Sequence, residues 1–378
     1  MKIILAPDSF KDSLSAVAVC EAMETGARRV LPDAEIVRLP LADGGEGTID
    51  ALAAAGACER VTLTVTDPLS GTVRSEYGVL KRGKTAVIEM ASASGLQRVP
   101  AGLRNPLHTT TFGTGELIRH SLLSGFRDIV VTTGGSATSD CGSGAVQALG
   151  VRFMDGSGRE IRSPMTGADM MRVGAVDLSG LPPAVAESRF RVATDVTNPL
   201  LGPDGAVAVY AGQKGASGAD LEILEQGMAN CIDILEAACG LRVRDIPGAG
   251  SAGGIAAGLM AVAKAEAVPG IEWVLDACRF RDHLSRADLI LTGEGRLDRQ
   301  TASGKLVHGV ARAGGHAGVP VLAVAGRVDL DEDQAAAAGL SGAYAASDAS
   351  MPLSKAMRNA AGLVADAAER AVREFVGS

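Results

Sequence analysis

Aromatic side chains are scarce in this chain: one Trp, three Tyr and seven Phe make up 3% of 378 residues. The core must therefore rest on Ala, Val, Leu and Ile. Positive charge is also short, with a net charge of −8, which argues against a nucleic-acid binder and its basic patch. It leaves room for a small anionic substrate held by a few focused Lys or Arg. The six cysteines form no C-x-x-C pair and are irregularly spaced, so they read as free thiols in a reducing compartment. Five scattered histidines without H-E-x-x-H speak against a zinc site, and no G-x-S-x-G nucleophile elbow is present. Long apolar runs are missing as well. The N-terminal run stops at Pro7 and Asp8, too short for a signal peptide, and the charge-free stretch 246–263 is mostly Gly and Ala rather than a membrane span. These absences describe a soluble cytoplasmic protein with no membrane and no nucleic-acid partner; a homo-oligomer stays open.

What is abundant is glycine, 48 residues, about twice the usual share of roughly 7%. There is no G-X-Y period, so the excess points to tight turns and close backbone approaches. The length allows two or three domains of about 100–200 residues each. "KIILA", "AEIVRLPL", "ADLILTGEG" and "VPVLAVAG" are strand-like runs that alternate with helical patterns near both chain ends. That rhythm implies a doubly wound parallel sheet. The middle differs. "RVTLTVTDPLSGTVRSEYGVLKRGKTAVIEMAS" holds three strand-like runs in series, with turns at Asp67-Pro68 and Arg82-Gly83. The expected fold is thus a two-domain α/β protein. Residues 1–60 and 287–378 form a Rossmann-like domain, and 61–286 an inserted mixed α/β domain.

Two motif matches carry little weight. "GVLKRGKT", 78–85, fits the Walker A pattern but runs into the β-branched "TAVIEM", so it reads as a hairpin turn. "GAGSAG", 248–253, fits G-x-G-x-x-G without a convincing strand before it; a tight turn with close Gly/Ala packing competes with an anion-binding helix start. More informative are polar, Gly-rich loops just after strand-like runs. They carry Asp8, Ser9 and Lys11; Asp43; Gly134, Gly135, Ser136, Ala137, Thr138 and Asp140; Asp195; Lys214; and Glu294, Arg296, Asp298 and Lys305. In an open α/β sheet, ligands bind beyond the carboxyl ends of strands. Gly-rich nests hold phosphates, carboxylates hold Mg²⁺ or accept a proton, and Lys and Arg neutralise a transferring phosphoryl group. The inventory suits phosphoryl transfer from a nucleotide to a small hydroxylated acceptor and, less well, a hydroxy-acid dehydrogenase.

"APDSFKDSLSA", "LPLADGGEGT", "RNPLHTTTFGTGELI", "GGSATSDCGSGAVQALGVRF", "DVTNPLLGPDGA" and "TGEGRLDRQTASGK" resemble the bacterial glycerate kinase family, the group without a Walker A. Asp12 and Cys141 stand where that family commonly has Gly. The resemblance implies a two-domain α/β fold with the active site in the cleft between the domains, and ATP- and Mg²⁺-dependent phosphorylation of D-glycerate to 2-phosphoglycerate, with 3-phosphoglycerate as the alternative product. On those motifs the 134–140 loop is assigned to the nucleotide phosphates. Asp195 is the first choice for general base and Asp43 the second. Glu294 and Asp298 are assigned to Mg²⁺. Lys11, Lys214, Arg296 and Lys305 are the cations for the glycerate carboxylate and the ATP phosphates, Lys214 as a catalytic one, and Asp8 and Ser9 sit with the substrate. Beside the proposed phosphate loop, Cys141 is a candidate reactive thiol.

Overall fold

The computed structural model describes residues 1–298, 306–348 and 350–377. The chain divides into two compact units. One comprises Met1–Asp43, Asp50–Ala57 and Ile271–Ser378; the other Gly44–Ile49 and Cys58–Gly270. Among the described residues no helix is long and apolar enough to cross a membrane.

In the first unit the apolar runs near both chain ends become one sheet. Its strand order is Gly342–Ala345, Val321–Ala325, Leu289–Gly293, Lys2–Pro7, Glu35–Arg38, and every pairing is parallel. Ile3, Ile4, Leu5 and Ala6 are wholly buried, as are Leu289, Ile290 and Leu291. A strand buried on both faces needs an unbroken apolar run, and that is how these segments are written. Helix Ala16–Val30 starts at Ser15, whose hydroxyl accepts the Ala18 N–H at 3.3 Å. It packs on the C-terminal helix Ala360–Gly377 so closely that a Cβ at Gly26 would lie 2.0 Å from the Ala365 carbonyl oxygen. The chain builds outward from Lys2–Pro7 to one side first, then to the other through Leu289–Gly293. These two neighbouring strands therefore flank the topological switch point, where such sheets leave a crevice at the strands' carboxyl ends.

The second unit is a six-stranded sheet ordered Glu266–Val268, Arg189–Ala193, Asp128–Thr132, Thr85–Glu89, Thr72–Leu80, Cys58–Thr66. The first four strands run parallel; the last two are antiparallel. The Walker-like stretch is the turn between Thr72–Leu80 and Thr85–Glu89, so Lys84 is a hairpin residue. At Asp67 the carboxylate Oδ1 accepts the N–H groups of Leu69 and Gly71 at 2.8 and 2.9 Å, which closes the other turn. Glu89, Thr132, Ala193 and Val268 end the four parallel strands on one edge of this sheet.

Candidate active site

In the first unit the residues just past the switch point are carboxylates. Asp8 follows Lys2–Pro7 and Glu294 follows Leu289–Gly293; the Asp8 N–H donates to the Gly293 carbonyl at 2.8 Å. Asp43 arrives from the segment after Glu35–Arg38, which is tied down where the Leu41 N–H donates to Pro7 O at 3.0 Å. Burial, and then the charges of Asp43 and Glu294, push the Asp8 carboxyl up from 3.8 to about 8. Ser9 opposes this with its N–H at 2.6 Å and its hydroxyl at 3.3 Å from Asp8 Oδ1. Ser9 thus orients Asp8. Two carboxylates close enough to raise the proton affinity of a third make a place for a cation. Among the described residues no group of three or more His, Cys, Asp or Glu is placed so that it could hold a metal ion. Mg²⁺ usually takes one or two carboxylates and completes its shell with phosphate and water, so the residues fit that ion.

Asp298, assigned to the metal with Glu294, lies 3.9 Å from the Arg296 guanidinium, an ion pair that already answers part of its charge. Arg296 also donates to Asp329 at 2.6 Å. Lys11 is exposed at the tip of a turn closed by paired hydrogen bonds between Phe10 and Leu14 at 2.8 and 2.9 Å. Lys305 lies outside the described residues.

In the second unit the 134–140 loop follows Asp128–Thr132, and its small residues have a reason of their own. A Cβ at Gly134 would lie 2.5 Å from the Gly45 Cα. On the loop's other side, a Cβ at Gly253 would lie 1.9 Å from the Thr138 carbonyl oxygen, and one at Gly254 would lie 2.9 Å from the Cys141 Cα. Ala252, Gly253 and Gly254 all have left-handed backbone (φ 51, 73 and 89), which presses that segment onto the loop. The "GAGSAG" match is therefore a close-packing device.

These contacts correct several expectations. Gly135 is exposed, Gly134 half-buried and Ser136 only 8% exposed, whereas Ala137, Thr138 and Asp140 are buried. Asp140 spends its carboxylate on the fold: Oδ2 accepts the Thr111 N–H (2.8 Å), the Thr111 hydroxyl (2.7 Å) and the Gly144 N–H (3.3 Å). Burial raises its pKa. Lys214 is no surface cation either. It is buried, donates to the Thr138 carbonyl oxygen at 2.6 Å, and burial pulls its pKa from 10.5 to about 7 against the charge of Asp140. Cys141 is wholly buried, and a hydrogen bond with the Cys231 thiol together with burial pushes its thiol well above the ordinary range. A reactive thiolate needs the opposite environment. Asp195 is exposed beyond Arg189–Ala193, and its Oδ1 accepts the Gly270 N–H at 2.8 Å.

One structural carboxylate escaped the sequence reading. Glu89, buried at the end of its strand, accepts the Gly47 and Ile49 N–H groups at 3.0 and 3.1 Å and so fixes the 44–49 loop. Its signal was a lone acid closing an apolar β-run, "AVIE".

The chain matches the model of the glycerate kinase family over residues 3–376. It is 44% identical over 378 residues to a glycerate kinase of Bacillus subtilis (strain 168), covering 100% of this chain and 97% of that one. It is 45% identical over 331 residues to a glycerate 2-kinase of Escherichia coli (strain K12), covering 88% and 86%. A crystal structure from Salmonella typhimurium LT2, provisionally named glycerate kinase 2, superposes with a TM-score of 0.85 at 41% identity over 100% of this chain and 98% of that one. The chain belongs to the glycerate kinase family.

Proposed function

We propose that this protein phosphorylates D-glycerate with ATP and Mg²⁺, giving 2-phosphoglycerate and ADP. The observation that carries the reading is the Asp8–Asp43–Glu294 cluster at the switch point of the first sheet, where burial and then the neighbouring negative charge raise Asp8. Family membership supports it. Asp8 and Glu294 would hold Mg²⁺, which when bound neutralises charge on the phosphates. Lys11 and Arg296 supply positive charge in the same unit. Lys214 is buried beneath the 134–140 loop and serves that loop instead. Gly134, Gly135 and Ser136 are the stretch of the loop an anionic ligand can still reach. The six cysteines are free, which accords with a cytoplasmic setting.

The hydroxyl proton of glycerate needs an acceptor. Asp195 and Asp43 are the two candidates: Asp195 is exposed and oriented through Gly270, and Asp43 already presses on Asp8. Measuring glycerate-dependent ADP release separates them. The Asp→Asn variant of the true acceptor should lose roughly 10²–10⁴-fold in kcat, with nucleotide affinity much less affected. Near-normal turnover in both Asp195→Asn and Asp43→Asn would sink the assignment of a carboxylate base to either.

A further inference from the structure

The first unit contains a cavity of ≈ 420 Å³. Phe10, Gly295, Gly326 and Ala346 line it, and each lies just beyond the carboxyl end of a different strand in four adjacent strands of the sheet. Its composition is divided. Phe10, Met357 and Val364 contribute apolar wall, and Leu353, which also lines it, is 74% exposed. Lys11, Arg296 and Arg327 bring three cations, against Asp12 and Asp348. Arg296 and Arg327 are register partners in the short parallel pair Arg296–Leu297/Arg327–Val328, and Asp329 pairs with both, at 2.6 and 3.2 Å. Two guanidinium groups are thereby set side by side.

An apolar slot with a few polar groups, within the ~300–1,000 Å³ typical of small-molecule sites, suits a flat heteroaromatic ring better than a small, fully polar acid. D-Glycerate would leave the apolar wall uncovered. The cavity is also joined through the chain to the carboxylate cluster: Gly295 follows Glu294, and Phe10 lies two residues beyond Asp8. We propose that this cavity takes the adenosine of ATP and ADP, with Lys11, Arg296 and Arg327 supplying charge to the phosphates. This relocates the nucleotide from the 134–140 loop, and it rests on the ATP dependence proposed above.

Isothermal titration of the full-length protein with ADP in excess Mg²⁺ tests it. Leu353→Glu changes an exposed side chain and should not disturb folding; Ala356→Trp fills the cavity from helix Leu353–Arg358. Both should weaken ADP binding by about tenfold or more and raise KM for ATP with KM for D-glycerate little changed. Arg327→Ala should weaken ADP more than adenosine. If wild type binds ADP and both Leu353→Glu and Ala356→Trp bind it as tightly, the cavity assignment is overturned while the kinase reading stands. Wild-type protein that binds neither ADP nor ATP would overturn the ATP dependence itself, and the cavity assignment with it.

Discussion

Replacing Lys214 by Met should make the protein more stable near neutral pH, and less so as pH rises. Lys214 is 2% exposed, and burial takes its pKa from 10.5 down to about 7. Below pH 7 the lysine is protonated in both the folded and unfolded states, and the folded state bears the full cost of burying the charge. Between pH 7 and about 10 the unfolded chain holds a proton that the folded chain has released, so wild-type stability rises with pH, by roughly 1 kcal/mol per unit. Methionine has similar length and no charge, so Lys214→Met removes that slope. It also leaves the Thr138 carbonyl oxygen without its 2.6 Å donor, a loss of about 1–3 kcal/mol that does not depend on pH. The advantage of Lys214→Met over wild type should therefore shrink by on the order of 1 kcal/mol per unit from pH 7 to pH 9, and can change sign. Urea unfolding followed by far-UV circular dichroism at several pH values reads this. A stability difference that stays constant with pH would refute the buried, weakly basic lysine.

Gly253→Ala places a methyl group 1.9 Å from the Thr138 carbonyl oxygen on left-handed backbone (φ 73), and should cost at least about 2 kcal/mol in thermal or urea unfolding; Gly102→Ala, with no neighbour within 4 Å, is the control that should leave Tm unchanged. Asp8→Asn should raise the Tm of the ligand-free protein near neutral pH, because it removes the cost of keeping a carboxyl protonated that burial, and then the charges of Asp43 and Glu294, have raised to about 8; it should also raise the Mg²⁺ concentration for half-maximal activity by tenfold or more, and a lower Tm with an unchanged Mg²⁺ requirement would contradict the cluster's role. Cys141 should resist thiol reagents in the folded protein, with labelling read by mass spectrometry of its peptide; rapid native labelling there would show that the buried, raised thiol is misassigned.

Much of the sheet architecture could be read in advance because its strands announce themselves. "KIILAP" and "LILTG" are unbroken apolar runs because both of their faces are covered, and Asp67 and Gly83 mark the hairpin turns. The 134–140 loop was harder. A run of Gly, Ser, Ala and Thr says that something comes close, but not whether it is a ligand or the chain itself. Here it is the chain: Gly45 on one side, Gly253 and Gly254 on the other, residues distant in sequence. The place of Lys214 was hidden for a related reason. A polar, Gly-flanked lysine reads as a loop residue, and only tertiary packing puts its ammonium under Thr138. The Asp8–Asp43–Glu294 cluster needs the strand order, which brings the first strand beside one from the last third of the chain. The two departures from the family's usual glycines also acquire a meaning. Asp12 and Cys141 both have left-handed backbone (φ 59 and 57), the region glycine occupies at least cost.

The most direct test of the central claim is the product itself. Wild-type protein incubated with ATP, Mg²⁺ and D-glycerate, and followed by ³¹P NMR, should convert the γ-phosphate of ATP into the phosphomonoester signal of 2-phosphoglycerate, in step with ADP, and only when D-glycerate is present. A 3-phosphoglycerate signal would contradict the proposed position of transfer. ADP formed at the same rate without D-glycerate, or no phosphoglycerate at all, would contradict the proposed activity.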